Sequence, residues 1–103
     1  MSSGYEIEWS ARAVADVDRI VHYIEEEWGM KSTSRFIQTL QKEINRIRAF
    51  PYAFPMSGTN GVRRCVMSKQ NTIYYQIRDS RVYLLSIFDN RRNPSDLEDI
   101  ENV

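Results

Sequence analysis

The chain has 103 residues, 14 basic and 14 acidic side chains and 42% hydrophobic residues, which suits one small domain with its own core, spanning 1–103. A single cysteine, Cys65, excludes an internal disulfide, and a single histidine, His22, excludes a Cys/His metal cluster, so we expect neither metal nor cofactor. No apolar run approaches the roughly 20 residues of a membrane span, and no signal peptide is visible. We therefore expect a cytoplasmic protein without membrane contact.

The first elements are a strand and an amphipathic helix. Apolar and acidic side chains alternate over Tyr5–Trp9, which predicts a half-buried edge strand with two glutamates facing water. Ser10 can cap a helix that ends near Gly29. Its apolar stripe comprises Val14, Val17, Val21, Ile24 and Trp28. The lone His22 lies beside this stripe, and we interpret it as a surface or packing residue, because no titratable partner is placed to tune it.

A second helix is expected from about Ser32 or Ser34 to about Arg48. Its apolar residues are Phe36, Ile37, Leu40, Ile44 and Ile47. The connection between the helices is short, which predicts an antiparallel hairpin. Pro51 follows the helix and begins the one long loop, 51–61.

Three strands joined by short turns follow, at Val62–Ser68, Thr72–Ile77 and Val82–Phe88, and they predict an antiparallel meander. The last strand is apolar on both faces, so we expect it in the centre of the sheet, paired with the first strand. Strict alternation puts Val82, Leu84, Ser86 and Phe88 on one face and Tyr83, Leu85 and Ile87 on the other. The fold class is α+β, in the order strand, helix, helix, three strands.

Charge is unevenly distributed along the chain. Residues 62–94 hold seven basic and two acidic side chains, a net charge of +5, which is a candidate anion-binding or acidic-protein-binding surface. Alternation places Arg64 on the face of Val62 and Val66, and Arg63 on the opposite face with Cys65. Residues 95–103 hold four acidic side chains and no basic one. Ser95 could cap a helix over 96–101, but we expect residues 1–4 and 95–103 to be flexible.

Several segments in this order resemble one protein family over nearly the whole chain. They are Y-E-I-E-W-S-A-R-A-V-A-D-V-D-R-I-V-H-Y-I, F-I-Q-T-L, the Phe50-Pro51 stop, V-R-R-C-V, I-Y-Y-Q-I and L-L-S-I-F-D-N-R-R-N-P. Together they are similar to the RelE/ParE superfamily of toxins from type II toxin–antitoxin systems, also described as plasmid-stabilisation proteins. The resemblance implies the βααβββ fold and a cognate antitoxin as partner. A homodimer, or a heterotetramer with the antitoxin, would fit the same resemblance.

The superfamily contains two activities. RelE-type members cut mRNA on the ribosome with a cluster of cations and a proton carrier. On this resemblance, Arg64 and Arg92 would be the catalytic arginines, with Arg63 and Arg91 as their alternatives. The Tyr or His near the C-terminus of the RelE pattern is missing here, since Asp96 and Leu97 occupy that region. Tyr74 and Tyr83 are only loose substitutes, because a tyrosine in a sheet is more often part of the core.

ParE-type members resemble the chain more closely, and they inhibit growth by binding DNA gyrase rather than by catalysis. On this interpretation the arginines bind the target or the antitoxin, and we expect that the protein is not an enzyme. These arginines are Arg63, Arg64, Arg78, Arg81, Arg91 and Arg92. The resemblance also implies that an antitoxin segment fills a hydrophobic groove, for which the candidate aromatics are Trp9, Trp28, Tyr52 and Phe54. A third alternative is an inactive family member that serves as an interaction module.

Overall fold

A computed structural model of the chain describes residues 4–92 and 94–102. Its elements are β1 (Glu6–Trp9), α1 (Ala11–Trp28), α2 (Met30–Ala49), β2 (Val62–Val66), β3 (Asn71–Arg78), β4 (Arg81–Asp89) and α3 (Pro94–Glu101). One four-stranded sheet has the order β1-β4-β3-β2, in which β1 pairs parallel with β4 and the other pairs are antiparallel. The predicted α+β fold, the meander and the central position of the last strand next to the first are confirmed. No helix in the described ranges is long and apolar enough to cross a membrane.

The two ends of α1 are set by Ser10 and Gly29. The Ser10 hydroxyl accepts a hydrogen bond from the Ala13 N–H (3.0 Å) and donates to the Leu85 carbonyl (2.9 Å), so the predicted cap also fastens α1 to β4. Gly29, with φ of 89°, ends α1, and α2 begins at the next residue. The prediction that α2 starts at Ser32 or Ser34 is therefore wrong, because a single glycine with positive φ is enough to turn the chain.

The main core lies between the helical hairpin and one face of the sheet. It contains Ala13, Phe36, Leu40, Ile44, Ile47, Cys65, Ile73, Tyr75, Val82, Leu84 and Ile87. Three members of the predicted stripes lie outside it: Val14, Trp28 and Ile37 are 54%, 69% and 43% exposed. Their places in the prediction were wrong, and for Val14 the reason is that α1 turns Ala13 and Asp16 toward β4 instead.

A β-bulge interrupts the alternation of side chains in β4. The register between β3 and β4 shifts between Tyr74 and Tyr75, which leaves Leu85 without a residue opposite it. Beyond the bulge, Ile87 lies in the core under the helices and Phe88 lies on the other face of the sheet. Strict alternation predicts the reverse, so that prediction is wrong for these two residues.

The bulge is held by a buried carboxylate of α1. Asp16 is 6% exposed and accepts hydrogen bonds from the Ser86 hydroxyl (2.5 Å) and from the Ile87 N–H (3.1 Å). Arg19, one turn further along α1, forms an ion pair with the same carboxylate at 2.9 Å. The Asp16 side chain thus supplies the hydrogen-bond acceptor for polar groups of β4 next to the bulge, and this fixes the position of α1 on β4.

The second face of the sheet is covered by α3. Its buried Ile100 packs with four residues of the sheet, Val62, Tyr74, Leu85 and Phe88. The Ser57 hydroxyl donates a hydrogen bond to the Glu101 carboxylate and ties the helix to the long loop. The expected flexible end from residue 95 is therefore helical and packed as far as Glu101, because Leu97 and Ile100 find an apolar face that the bulge helps to create. The expected flexibility of residues 1–3 and 103 lies outside the described residues.

Candidate functional site

An open groove of about 640 Å³ lies between the helical hairpin and the ends of three strands. We call it the hairpin groove. Its more buried lining is apolar, and Tyr23 and Trp28 project beside it with exposures of 49% and 69%. The apolar lining consists of Ile20, Ile24, Phe36 and Met67. A large apolar surface left open in a small domain is a typical interaction site.

Three arginines lie around this apolar lining. Arg19 comes from α1, Arg35 from α2 and Arg91 from the segment after β4. Arg91 binds both carboxylate oxygens of Asp89, at 3.2 and 3.3 Å. Arg19 is paired with Asp16. Arg35 forms no hydrogen bond or ion pair among residues 4–92 and 94–102, so its charge is not matched within the described chain.

The Arg91–Asp89 pair is electrostatically coupled. Partial burial alone would raise the pKa of Asp89, but hydrogen bonds from the side chain and backbone of Arg91 lower it overall. Tyr23 lies close enough to interact with the Arg91 charge. Asp89 therefore stays ionised at neutral pH and keeps the Arg91 guanidinium beside the groove.

The other predicted arginines lie elsewhere in the molecule. Arg63 and Arg64 project to opposite faces of β2, as alternation predicts, and both brace the long loop. Arg63 donates to the carbonyls of Phe54 (2.6 Å) and Tyr52 (3.3 Å). Arg64 donates to the Met56 carbonyl at 3.0 Å.

Arg78 and Arg81 flank the turn between β3 and β4. The Arg78 guanidinium lies 4.5 Å from the centre of the Tyr83 ring. Arg81 bonds Glu8 at 2.7 Å and lies 3.6 Å from Glu6, so it ties the edge strand to β4. The hydrogen bond from Arg81 lowers the pKa of Glu8, with a smaller contribution from Tyr83.

The two arginines proposed for a nuclease lie on different segments of the chain, Arg64 in β2 and Arg92 just before α3. Arg64 is paired with Tyr74 of β3, which is paired in turn with Ser86 of β4. Arg92 follows Ser86 by six residues along the chain, and its guanidinium lies 3.6 Å from the carboxylate of Asp96 in α3. Tyr74 is the cross-strand neighbour of Arg64, but it is 5% exposed and packs edge-on against Phe88. Burial raises the pKa of Tyr74, which disfavours proton transfer at neutral pH. The catalytic assignment of Arg64 and Arg92 stays a prediction.

Of the four candidate groove aromatics, only Trp28 lines the hairpin groove. Trp9 lies on the edge strand, and Tyr52 and Phe54 lie in the long loop. Tyr23, Arg19 and Arg35 were not among the residues predicted from the sequence. In the sequence, these three residues lie next to the apolar stripes of the two helices, which could have marked them as candidates. Only the folded hairpin shows that they share one groove.

The described residues offer neither a metal-binding cluster nor a buried histidine. Within the described ranges, no three His, Cys, Asp or Glu side chains are grouped in a way that could hold a metal ion. His22 is exposed on α1, with its Nε2 3.6 Å from the Glu26 carboxylate.

Comparison with known proteins gives the chain a family. Residues 7–94 match the family model described as "ParE toxin of type II toxin-antitoxin system, parDE". No curated protein matches the sequence. The fold is similar to the chromosomal ParDE toxin–antitoxin system from P. aeruginosa, with a TM-score of 0.73 and 18% identity over 85% of this chain and 98% of that one. It is also similar to the YoeB/ParE toxin from Agrobacterium tumefaciens, with a TM-score of 0.63 and 13% identity over 82% and 98% of the two chains. Because the family model covers most of the sequence, the chain belongs to the ParE toxin family of type II toxin–antitoxin systems.

Proposed function

We propose that this ParE-family protein inhibits growth in the cytoplasm by binding DNA gyrase, and that a cognate antitoxin neutralises it by occupying the hairpin groove. The observation that carries the proposal is the groove itself, an apolar channel with two exposed aromatics and an unpaired Arg35. Family membership supports a toxin with an antitoxin partner. The target and the place of neutralisation are the proposed steps.

The groove suits an amphipathic segment that becomes ordered when it binds. Its apolar side chains would cover Ile20, Ile24 and Phe36, and Tyr23 and Trp28 would pack along its flank. An acidic side chain of the same segment would pair with Arg35, whose charge is unmatched within the described chain. Exposed tryptophan, tyrosine and arginine are the residues that most often dominate binding energy, so this surface can hold a tight partner.

Binding rather than catalysis is the proposed mode of action. Each of the six predicted arginines already contacts a carboxylate, a carbonyl or an aromatic ring of its own chain. Such arginines shape a surface and its electrostatic field. This supports a protein that inhibits its target by occupying it.

Inducible expression tests the proposal in two stages. The protein is induced without and with its neighbouring small reading frame, and growth and the supercoiling activity of an extract are followed. We expect growth arrest and loss of supercoiling without the neighbour, and recovery of both with it. Growth arrest with normal supercoiling would refute gyrase as the target, and normal growth would refute the toxin function.

The endoribonuclease is the alternative that the same cells can test. Primer extension on translated mRNA would then show new cuts that disappear in Arg92→Ala and in Arg64→Ala. An absence of cuts during growth arrest is the result that binding predicts. Harmless overexpression, with no cuts and normal supercoiling, would favour an interaction module without toxicity.

A further inference from the structure

A second aromatic surface lies at the other end of the molecule, where α2 ends. Phe50 and Tyr52 are 68% and 62% exposed, and the ring of Tyr52 meets that of Tyr5 edge-on with centres 6.5 Å apart. We call these three residues, with the adjacent Arg48 and Arg63, the aromatic patch. Beside it lies an apolar hollow of about 450 Å³ lined by Gly4, Tyr5, Ala49, Phe50 and Ser80. Arg35 of the hairpin groove is 15 residues from Phe50 along α2, which corresponds to about 20 Å of helix.

The patch is held in place by hydrogen bonds, although it lies at the start of a loop. The Phe50 N–H donates to the Arg46 carbonyl at 2.9 Å, and the Tyr5 N–H donates to the Arg48 carbonyl at 3.2 Å. The hydroxyl of the buried Tyr75 donates to the Pro51 carbonyl at 2.5 Å. A surface that is already rigid loses little conformational entropy on binding, so its exposed apolar area is available for affinity.

The patch carries positive charge that the chain does not neutralise. Arg63 lies 5.2 Å from the centre of the Tyr52 ring, and its hydrogen bonds go to carbonyl oxygens only. The Arg48 side chain has no carboxylate partner among the described residues. Two acidic groups of the adjoining elements are engaged elsewhere, since Glu43 pairs with Arg46 and Glu6 lies beside Arg81. Exposed aromatic side chains beside two cations that have no carboxylate partner complement carboxylates that flank an apolar side chain.

The surroundings favour an acidic protein over a nucleic acid. The whole chain has no net charge, whereas binding of a phosphate backbone depends on a basic surface with several phosphate contacts. The hollow next to Phe50 is lined mainly by apolar residues and contains no cationic residue, which suits an aliphatic or aromatic side chain better than a phosphate.

We propose that the aromatic patch binds an acidic protein segment that inserts one apolar side chain into the hollow, and that the toxin engages its target through this surface. The first statement stands on the patch alone. The second rests on the proposed function. On this arrangement the target and the antitoxin have separate contact surfaces at opposite ends of α2.

The binding statement is tested with a defined probe. A short acetylated peptide with two central leucines flanked by glutamates is titrated into the ¹⁵N-labelled protein, with a matched peptide in which lysines replace the glutamates. We expect the acidic peptide, but not the lysine peptide, to shift the amide signals of Tyr5, Phe50, Tyr52 and Ser80. Its affinity should fall at least tenfold in Phe50→Ala and in Arg48→Glu, and stay unchanged in Met30→Ala, which alters an equally exposed residue outside the patch.

Three other outcomes would overturn this proposal. Shifts confined to Tyr23 and Arg35 would place the acidic segment in the hairpin groove instead. Binding of a single-stranded oligonucleotide at the patch, with no binding of the acidic peptide, would make it a nucleic-acid surface. Concentration-dependent broadening of the patch signals without peptide would make it an interface between two copies of the chain.

The target statement is tested by growth arrest. Phe50→Ala with Tyr52→Ala should abolish the arrest at equal protein level while leaving affinity for the antitoxin unchanged, whereas Met30→Ala should arrest growth like the wild type. An unaltered arrest in the double variant would refute the patch as the target surface. If the wild type does not arrest growth, the proposed function fails, and the peptide titration still decides whether the patch binds acidic protein.

Discussion

The carboxylate of Asp16 offers the sharpest test of how the fold is held together. Asp16→Ala removes the acceptor of three hydrogen bonds, of which those from the Ser86 hydroxyl and the Ile87 N–H are buried, and leaves these two groups without a partner. A hydrogen bond to a charged group contributes about 1.5–3 kcal/mol, so the loss of both is expected to cost about 3–6 kcal/mol. That is a large part of the roughly 5–15 kcal/mol that stabilises a domain. We expect Tm to fall by about 12 °C or more, since 1 kcal/mol shifts Tm by about 4–8 °C at this size.

Urea denaturation followed by circular dichroism measures this cost directly. Asp18→Ala is the matched control, because Asp18 is exposed on the same helix and should change the free energy of unfolding by less than about 0.5 kcal/mol. Asp16→Asn should fall between the control and Asp16→Ala, because an amide oxygen still accepts hydrogen bonds without the charge. A cost below about 1 kcal/mol for Asp16→Ala would refute the conclusion that this carboxylate holds the β4 bulge.

Three further perturbations test other parts of the structure. Gly29→Ala should destabilise the protein by about 1 kcal/mol in urea denaturation, because Gly29 has φ of 89° while the space around it is open; no change would mean that the hairpin turn tolerates an L side chain. Ile100→Ala should cost about 2–5 kcal/mol if α3 is packed on the sheet, whereas a frayed helix would give almost no cost. Burial raises the pKa of Cys65 from 9.0 to about 12, and burial also raises that of Tyr75. The folded state therefore holds protons that the unfolded state has lost, so the free energy of unfolding should fall as pH rises from about 9 to about 12, and less steeply in Cys65→Val; equal slopes would contradict this role of Cys65.

Periodicity was enough to predict the order of elements but not the residues that face the core. The hairpin, the meander and the central β4 follow from local patterns, because each element carries its own apolar residues and turns. The inversion of Ile87 and Phe88 does not, because the bulge depends on Asp16, which lies 70 residues from Ser86. A polar residue on a helix gives no local indication that it will be buried against a strand.

The residues of the candidate site could not be predicted from sequence patterns either. The cluster of basic residues in 62–94 suggested one binding surface, but in the folded chain its arginines contact separate features: the long loop, the edge strand β1 and α3. Only Arg91 of that set lines the hairpin groove, where it meets Arg19 and Arg35 from the helices. Side chains from distant segments come together only through tertiary packing, so spacing along the sequence could not identify this group.

The most direct test of the account is the affinity of the purified toxin for its antitoxin, measured by calorimetry for the wild type and for Trp28→Ala with Arg35→Glu. Both altered side chains are exposed in the hairpin groove, so the variant should fold normally. Loss of an exposed tryptophan and reversal of the unpaired charge should weaken binding by at least about 2 kcal/mol, or roughly thirtyfold. Phe50→Ala, in the aromatic patch, should leave the affinity unchanged. Equal affinities of the groove variant and the wild type would contradict the claim that the antitoxin occupies the hairpin groove.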